Sequence, residues 1–241
     1  MTRQIRSWTL ALMVVAGCDD GGGHETVVLS GTTYGFNTPN PVAGALVRIV
    51  EYPELSTTSA ADGSWSLEVD AGHDATPYVE HEGFVTMHLQ TFSPDADVEH
   101  VNFQMVTPDV FGILAQILGI TPDPERCQIA STVSEKAIQT MTYPEFAAHG
   151  AHGVAGATVT ITPADAEVTY FNEQVIPDKT RTETSRDGGV VWANVPPGRH
   201  VLRATHPDKT FAEVTIECAA GRFINANPPQ GLKETTPEQR F

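Results

Sequence analysis

The chain has 241 residues, 40% of them apolar and 7% aromatic, enough to bury a real core, and at roughly 100 residues per domain it has room for two small domains. Lys and Arg number 14 against 30 Asp and Glu, a formal charge of −16 at pH 7, which argues against nucleic acid as a partner because phosphate binding needs clustered basic residues. An acidic excess of this size keeps a protein soluble and attracts divalent cations only weakly.

At the N-terminus, Arg3 and Arg6 precede an apolar run from Trp8 to Val15. Crossing a bilayer takes roughly 20 apolar residues, so residues 1–17 are expected to be a signal peptide rather than a membrane span, and no later apolar stretch is long enough either. The run ends in Val15-Ala16-Gly17-Cys18, which resembles the lipobox of bacterial lipoproteins. That resemblance implies cleavage before Cys18, acylation of the new N-terminal cysteine (palmitate among the acyl groups) and anchoring in the cell envelope. Asp19, Asp20 and the triglycine Gly21 to Gly23 then read as a flexible polar tether over residues 18–25. An aspartate directly after the cysteine resembles the inner-membrane retention signal of enterobacterial lipoproteins, a rule that does not transfer reliably to other bacteria, so the choice of inner or outer membrane stays open. Loss of residues 1–17 removes Arg3 and Arg6 and no acid, leaving 12 basic against 30 acidic residues and a formal charge of −18.

Residues 26–107 alternate with period two between Gly, Pro and Asp-Gly turns. In Ser64-Trp65-Ser66-Leu67-Glu68-Val69, Trp65, Leu67 and Val69 share one face, the signature of a half-buried antiparallel strand. Val101-Asn102-Phe103-Gln104-Met105 repeats it. Residues 108–125 form a helical linker: Thr107 can cap it, Pro108 suits the first turn, and Gly119 ends it. Val110, Ile113, Leu114, Ile117 and Leu118, widened by Phe111, make an apolar stripe, read as a spacer packed on one or both neighbouring sandwiches rather than as a partner-binding helix. Residues 126–229 return to alternation, as in Ala157-Thr158-Val159-Thr160-Ile161-Thr162, and residues 230–241 read as a polar C-terminal tail.

An internal repeat organises these segments. Val42-Ala43-Gly44-Ala45 matches Val154-Ala155-Gly156-Ala157 at an offset of 112, and Ser59-Ala60-Ala61-Asp62-Gly63 matches Thr184-Ser185-Arg186-Asp187-Gly188 at 125. The growth in offset is a longer connection in the second copy, around Glu167 to Arg181. Through "PVAGALVRI…ADGSWSLEVDAG" and "GVAGATVTI…RDGGVVWANVPPG" the chain resembles the carboxypeptidase regulatory-like domain family. The resemblance implies small transthyretin-like sandwiches of the kind found in bacterial surface lipoproteins, and adhesin stalk repeats and starch-binding-like modules share its turn motifs. The expected fold is all-β: two tandem small antiparallel β-sandwiches joined by a short helix, after a cleaved lipoprotein signal peptide.

Once Cys18 is given to the lipid, Cys127 and Cys218 remain as a pair in an oxidising compartment. Alternation in Cys127-Gln128-Ile129 and Thr215-Ile216-Glu217-Cys218 sets each on the apolar face of a strand. A disulfide is expected, with two buried free thiols as the alternative.

Nine histidines raise metal binding. His149-Gly150-Ala151-His152 has a spacing zinc or copper sites use, and alternation places His88 and His100 on outward faces; His81, His200 and His206 complete the clusters considered. Neither pair has an acid or cysteine at ligand spacing, so no metal and no cofactor are expected. The zinc pairs His-x-x-Glu and His-Glu-x-x-His do not occur, nor does a Gly-x-Ser-x-Gly elbow. The strand His200–His206 with Arg203 only faintly echoes the iron-binding motif of intradiol dioxygenases. The expected protein is therefore not an enzyme but a lipid-anchored envelope module that binds or scaffolds, with the membrane and either another envelope protein or a glycan as partners. Glycan binding is the alternative reading, resting on Tyr78, Tyr170 and Trp192 as possible contacts, with Phe171 beside them.

Overall fold

The computed structural model describes residues 25–236. Cys18 and the signal-peptide segment lie outside the described residues. Most elements are strands, and two apolar cores form, one per repeat, as the tandem-sandwich expectation requires.

In the first repeat a three-stranded layer runs Ser64–Asp70, Thr26–Gly35, Phe103–Met105. Thr26–Gly35 pairs antiparallel with Ser64–Asp70 in the register Gly31 to Trp65, and parallel with Phe103–Met105. The facing layer contains Leu46–Ile49, Ser56–Thr58, Pro77–Glu80 and Met87–His88. Trp65 and Val69 point inward and are buried with Leu29, Val47 and Phe103, as period-two alternation dictates. The second repeat sets Val214–Cys218, Gly198–Thr205 and Thr158–Thr162 against Cys127–Ser134, Gly189–Val195 and Val168–Phe171. Cys127 and Cys218 are bonded across the two layers, Cα to Cα 5.7 Å, so the expected disulfide forms.

The two copies share a buried hydroxyl constellation that fixes their equivalence. Ser59 Oγ donates to the Val42 carbonyl at 2.8 Å and accepts the Ala45 N–H at 2.9 Å. Thr184 Oγ1 donates to the Val154 carbonyl at 2.6 Å and accepts the Ala157 N–H at 2.9 Å. Each hydroxyl ties the start of one strand to the entry of the Asp-Gly turn, whose glycines, Gly63 and Gly188, hold φ of 79° and 78°. Only glycine adopts that conformation without strain.

The copies do not sit as separate beads. Phe223–Ala226 pairs in parallel with Met87–His88 of the first repeat on one edge and with Cys127–Ser134 of the second on the other, so one eleven-stranded sheet runs through both. All four of its residues are buried, Phe223 packing in the first core and Ile224 in the second. Further bonds cross the seam: Thr91 N–H to the Thr215 carbonyl, Asn227 Nδ2 to the Asn102 carbonyl, both at 2.9 Å, and an Arg199–Asp74 ion pair at 2.6 Å.

Three expectations are revised. Residues 230–241 are not simply a polar tail, because Leu232–Thr235 is a strand paired with Cys127–Ser134 and with Thr210–Phe211, and Leu232 is fully buried. The helix Pro108–Leu118 forms with the expected caps, Thr107 accepting the Val110 N–H and Gly119 left-handed at φ 62°, but its apolar residues do not act as one stripe. Leu118 is buried, whereas Ile113 and Ile117 are 55% and 43% exposed, because the 100° step turns them away from the sheet. A second helix, Tyr143–His149, joins it. Thr142 donates its N–H and hydroxyl to the Glu145 carboxylate, 2.8 and 2.7 Å, and Phe146 packs with Tyr34 and Ile138 in a small satellite core. Among the described residues no helix is long and apolar enough to cross a membrane.

Candidate functional site

The helix Pro108–Leu118 lies on the outer face of the shared sheet without filling the space beneath it. Phe111, Leu114 and Leu118 form the roof, and Ala130, Val191 and Phe223 belong to the floor. Phe111 meets Phe223 edge to face at 5.4 Å. Alternation explains the floor: Ile129 and Ile224 point into the second core, so Ala130 and Phe223 point to the opposite face, toward the first core and the helix. The space is a groove open to solvent along one side, with a cavity volume of about 90 Å³.

One end is polar. Asp187 and His152 line it, and through Asn37, Gln104 and His152 the groove continues into a hollow bordered by Tyr34 and Phe146. Asp187 Oδ2 accepts the Gly189 N–H at 3.0 Å. Burial raises the Asp187 carboxyl above the usual range; His152 and the Gly189 N–H oppose the rise and Glu173 adds to it. Its counterpart Asp62 in the first repeat is exposed, accepts from Ser64 N–H and Oγ, and is lowered by those bonds. The same turn position therefore carries opposite electrostatics in the two copies. Tyr34 is buried with its hydroxyl in no hydrogen bond of good geometry. Burial drives that hydroxyl far above its ordinary range, with Gln104 opposing and Tyr143 adding.

The residues singled out from sequence fall elsewhere. Trp192 and Tyr170, proposed as glycan contacts, are 1% and 4% exposed: Trp192 sits in the second core, and the Tyr170 hydroxyl accepts the Val159 N–H at 3.2 Å. Neither reaches an external ligand, because inward alternation on their strands directs both into the sandwich. Phe171 instead borders the groove. Tyr78 is partly exposed and stacks on His88, ring centroids 5.1 Å apart. His88 is not an outward ligand; burial and nearby Arg222 depress its imidazole to about 4, against a weaker opposing bond with the Phe223 backbone. His149 Nε2 meets Glu135 Oε1 at 2.6 Å, an acid fifteen residues upstream of the Gly150 loop that ligand spacing did not indicate. His200 Nε2 bonds the Pro196 carbonyl, His81 Nδ1 the Glu82 carbonyl, and His206 Nδ1 the Asp208 N–H. Among the described residues no three His, Cys, Asp or Glu side chains are grouped to hold a metal. Sequence reasoning treated Asp187 as turn chemistry and passed over Tyr34 and Gln104; the one sequence signal was the Asp-Gly turn itself.

No protein-family model matches the chain, and no curated protein does. Among solved structures it is similar to the Bacillus anthracis TIE protein, at 13% identity and a TM-score of 0.26 over 87% of this chain and 34% of that one. It is also similar to the shaft pilin SpaA of Lactobacillus rhamnosus GG, at 10% identity and TM-score 0.26 over 88% and 98% of the two chains. A third is GBS52, the minor pilin of Streptococcus agalactiae, at 8% identity and TM-score 0.26 over 87% and 97%. At these identities and TM-scores the likenesses place the chain in no family.

Proposed function

We propose that the chain is a non-catalytic, lipid-anchored module of the bacterial cell envelope, held through Cys18 and presenting a stiff two-repeat body that binds or scaffolds other envelope components. The observation that carries this reading is the shared strand Phe223–Ala226, which pairs with strands of both repeats and so runs one sheet through them. A body of this kind transmits position from its anchored end to its far end, which is what a spacer or scaffold requires. The disulfide suits an oxidising compartment outside the cytoplasm. The eight residues from Cys18 to Glu25 reach at most about 28 Å when extended, which keeps the first repeat close to the membrane.

The test is incorporation of a labelled fatty acid in cells producing the full chain. The wild type takes up label and fractionates with membranes, and Cys18→Ala takes up none. An unlabelled wild type, or a Cys18→Ala chain that still carries label, contradicts the proposal.

A further inference from the structure

We propose that the groove between the helix Pro108–Leu118 and the shared sheet is a binding site for a small amphiphilic amine, its apolar body lying under the helix and its ammonium group against Asp187. This deepens the binding role proposed above by naming a site and a ligand class.

Three observations converge. The helix is apolar on nearly all sides yet only Leu118 is buried, an arrangement that leaves the contact surface between roof and floor incomplete. A space lined by Phe111, Leu114, Leu118, Ala130, Val191 and Phe223 with polar groups converging at one end has the make-up of a small-molecule pocket. At that end no Lys or Arg among the described residues pairs with the Asp187 carboxylate; its charged neighbours are His152, which favours its ionised form, and Glu173, which opposes it and is itself paired with Arg181. A cationic head there restores the charge compensation that partial burial denies the carboxylate.

The internal repeat supplies the control. Asp62 serves the same turn on an open surface, where Ser64 satisfies it. Asp187 keeps the turn bond to Gly189 but faces an apolar groove, because His152 and Gly153 pack over its turn, the Gly153 backbone fitting so tightly that a Cβ there would collide with Asp187. The Tyr34 ring borders the adjoining hollow, its buried hydroxyl turned to the Gln104 side chain. An ammonium can donate up to three hydrogen bonds, to the Asp187 carboxylate among them. A carboxylate ligand would meet repulsion, and a neutral alcohol would gain only the apolar contact.

The experiment is ligand-observed NMR titration of the full chain with 2-phenylethylamine, 2-phenylethanol and phenylacetate, which share a ring and differ in head charge. The amine is expected to bind at least tenfold more tightly than the alcohol, and phenylacetate more weakly than either. Asp187→Asn retains an amide oxygen for the Gly189 N–H and so keeps the turn; it should abolish the preference for amine while leaving the alcohol's affinity within about twofold. Leu114→Trp, which fills the groove from the partly exposed roof, should weaken amine and alcohol together with the circular dichroism spectrum unchanged. Equal binding of the three probes, absence of amine binding, or an amine preference that survives Asp187→Asn would overturn the assignment. None of these outcomes bears on fatty-acid labelling at Cys18, so the two proposals fail separately.

Discussion

Removing the cross-link in the second repeat by the double substitution Cys127→Ala/Cys218→Ala should destabilise the protein through its unfolded state. The bond closes a loop spanning 91 positions. On the chain-entropy model a loop of that length restrains the unfolded ensemble by about 4.6 kcal/mol at 25 °C. Both cysteines are buried, so alanine leaves two small apolar voids that add to the loss, and it avoids burying a hydroxyl as serine would. With a urea dependence of about 2 to 3 kcal/mol per molar, the unfolding midpoint should fall by about 2 M. Fluorescence of Trp192, buried in the same core as the bridge, reports the transition. The folded-state spectrum should be unchanged, because the bridge joins layers already packed by Ile129, Val195 and Ile216. A midpoint shift below about 0.5 M would refute the loop-entropy reasoning.

The repeat constellation gives a matched pair of tests. Thr184→Val leaves the Ala157 N–H and the Val154 carbonyl buried without that partner, and Ser59→Ala does the same to Ala45 and Val42, so each should cost about 2 to 4 kcal/mol in a urea titration, whereas exposed Thr182→Val should cost under about 0.5. Acid should act at the seam through His88. Its folded-state imidazole titrates near 4 against 6.5 for the free side chain, so stability from the neutral ring is complete above pH 6.5 and is lost as pH falls toward 4. The span corresponds to roughly 3 kcal/mol, and His88→Phe, which keeps a ring for Tyr78 to stack on, should flatten that part of the stability-versus-pH curve; an unchanged slope would remove His88 from the account.

Much of the fold was legible in the sequence because its signals are local. Alternation in Ser64–Val69 needs only neighbouring residues to reveal an inward face, and Thr107 and Gly119 mark helix ends by capping chemistry that acts within one turn. The cysteine pair was readable for the same reason. The seam was not, since Phe223-Ile224-Asn225-Ala226 is short, is buried on both faces, and pairs in parallel with segments about 95 and 136 positions away. Leu232–Thr235 was missed because Leu232 is its one strongly apolar residue. The helix Tyr143–His149 did carry a signal, Thr142 followed three residues later by Glu145 with Pro144 between, but seven residues are too few for periodicity to stand out. Trp192 and Tyr170 were candidates by residue type alone, and burial decides against them. The groove exists only because the helix docks on the outer face of the sheet, so Asp187 looks like any turn aspartate until the fold covers it.

Differential scanning calorimetry of the full chain distinguishes two repeats joined in one continuous sheet from two independently folding bodies. A sheet running through both repeats by way of Phe223–Ala226 predicts a single transition whose van't Hoff and calorimetric enthalpies agree. Two resolved transitions, each with about half the enthalpy, would mean that the repeats unfold independently and that the shared strand does not couple them.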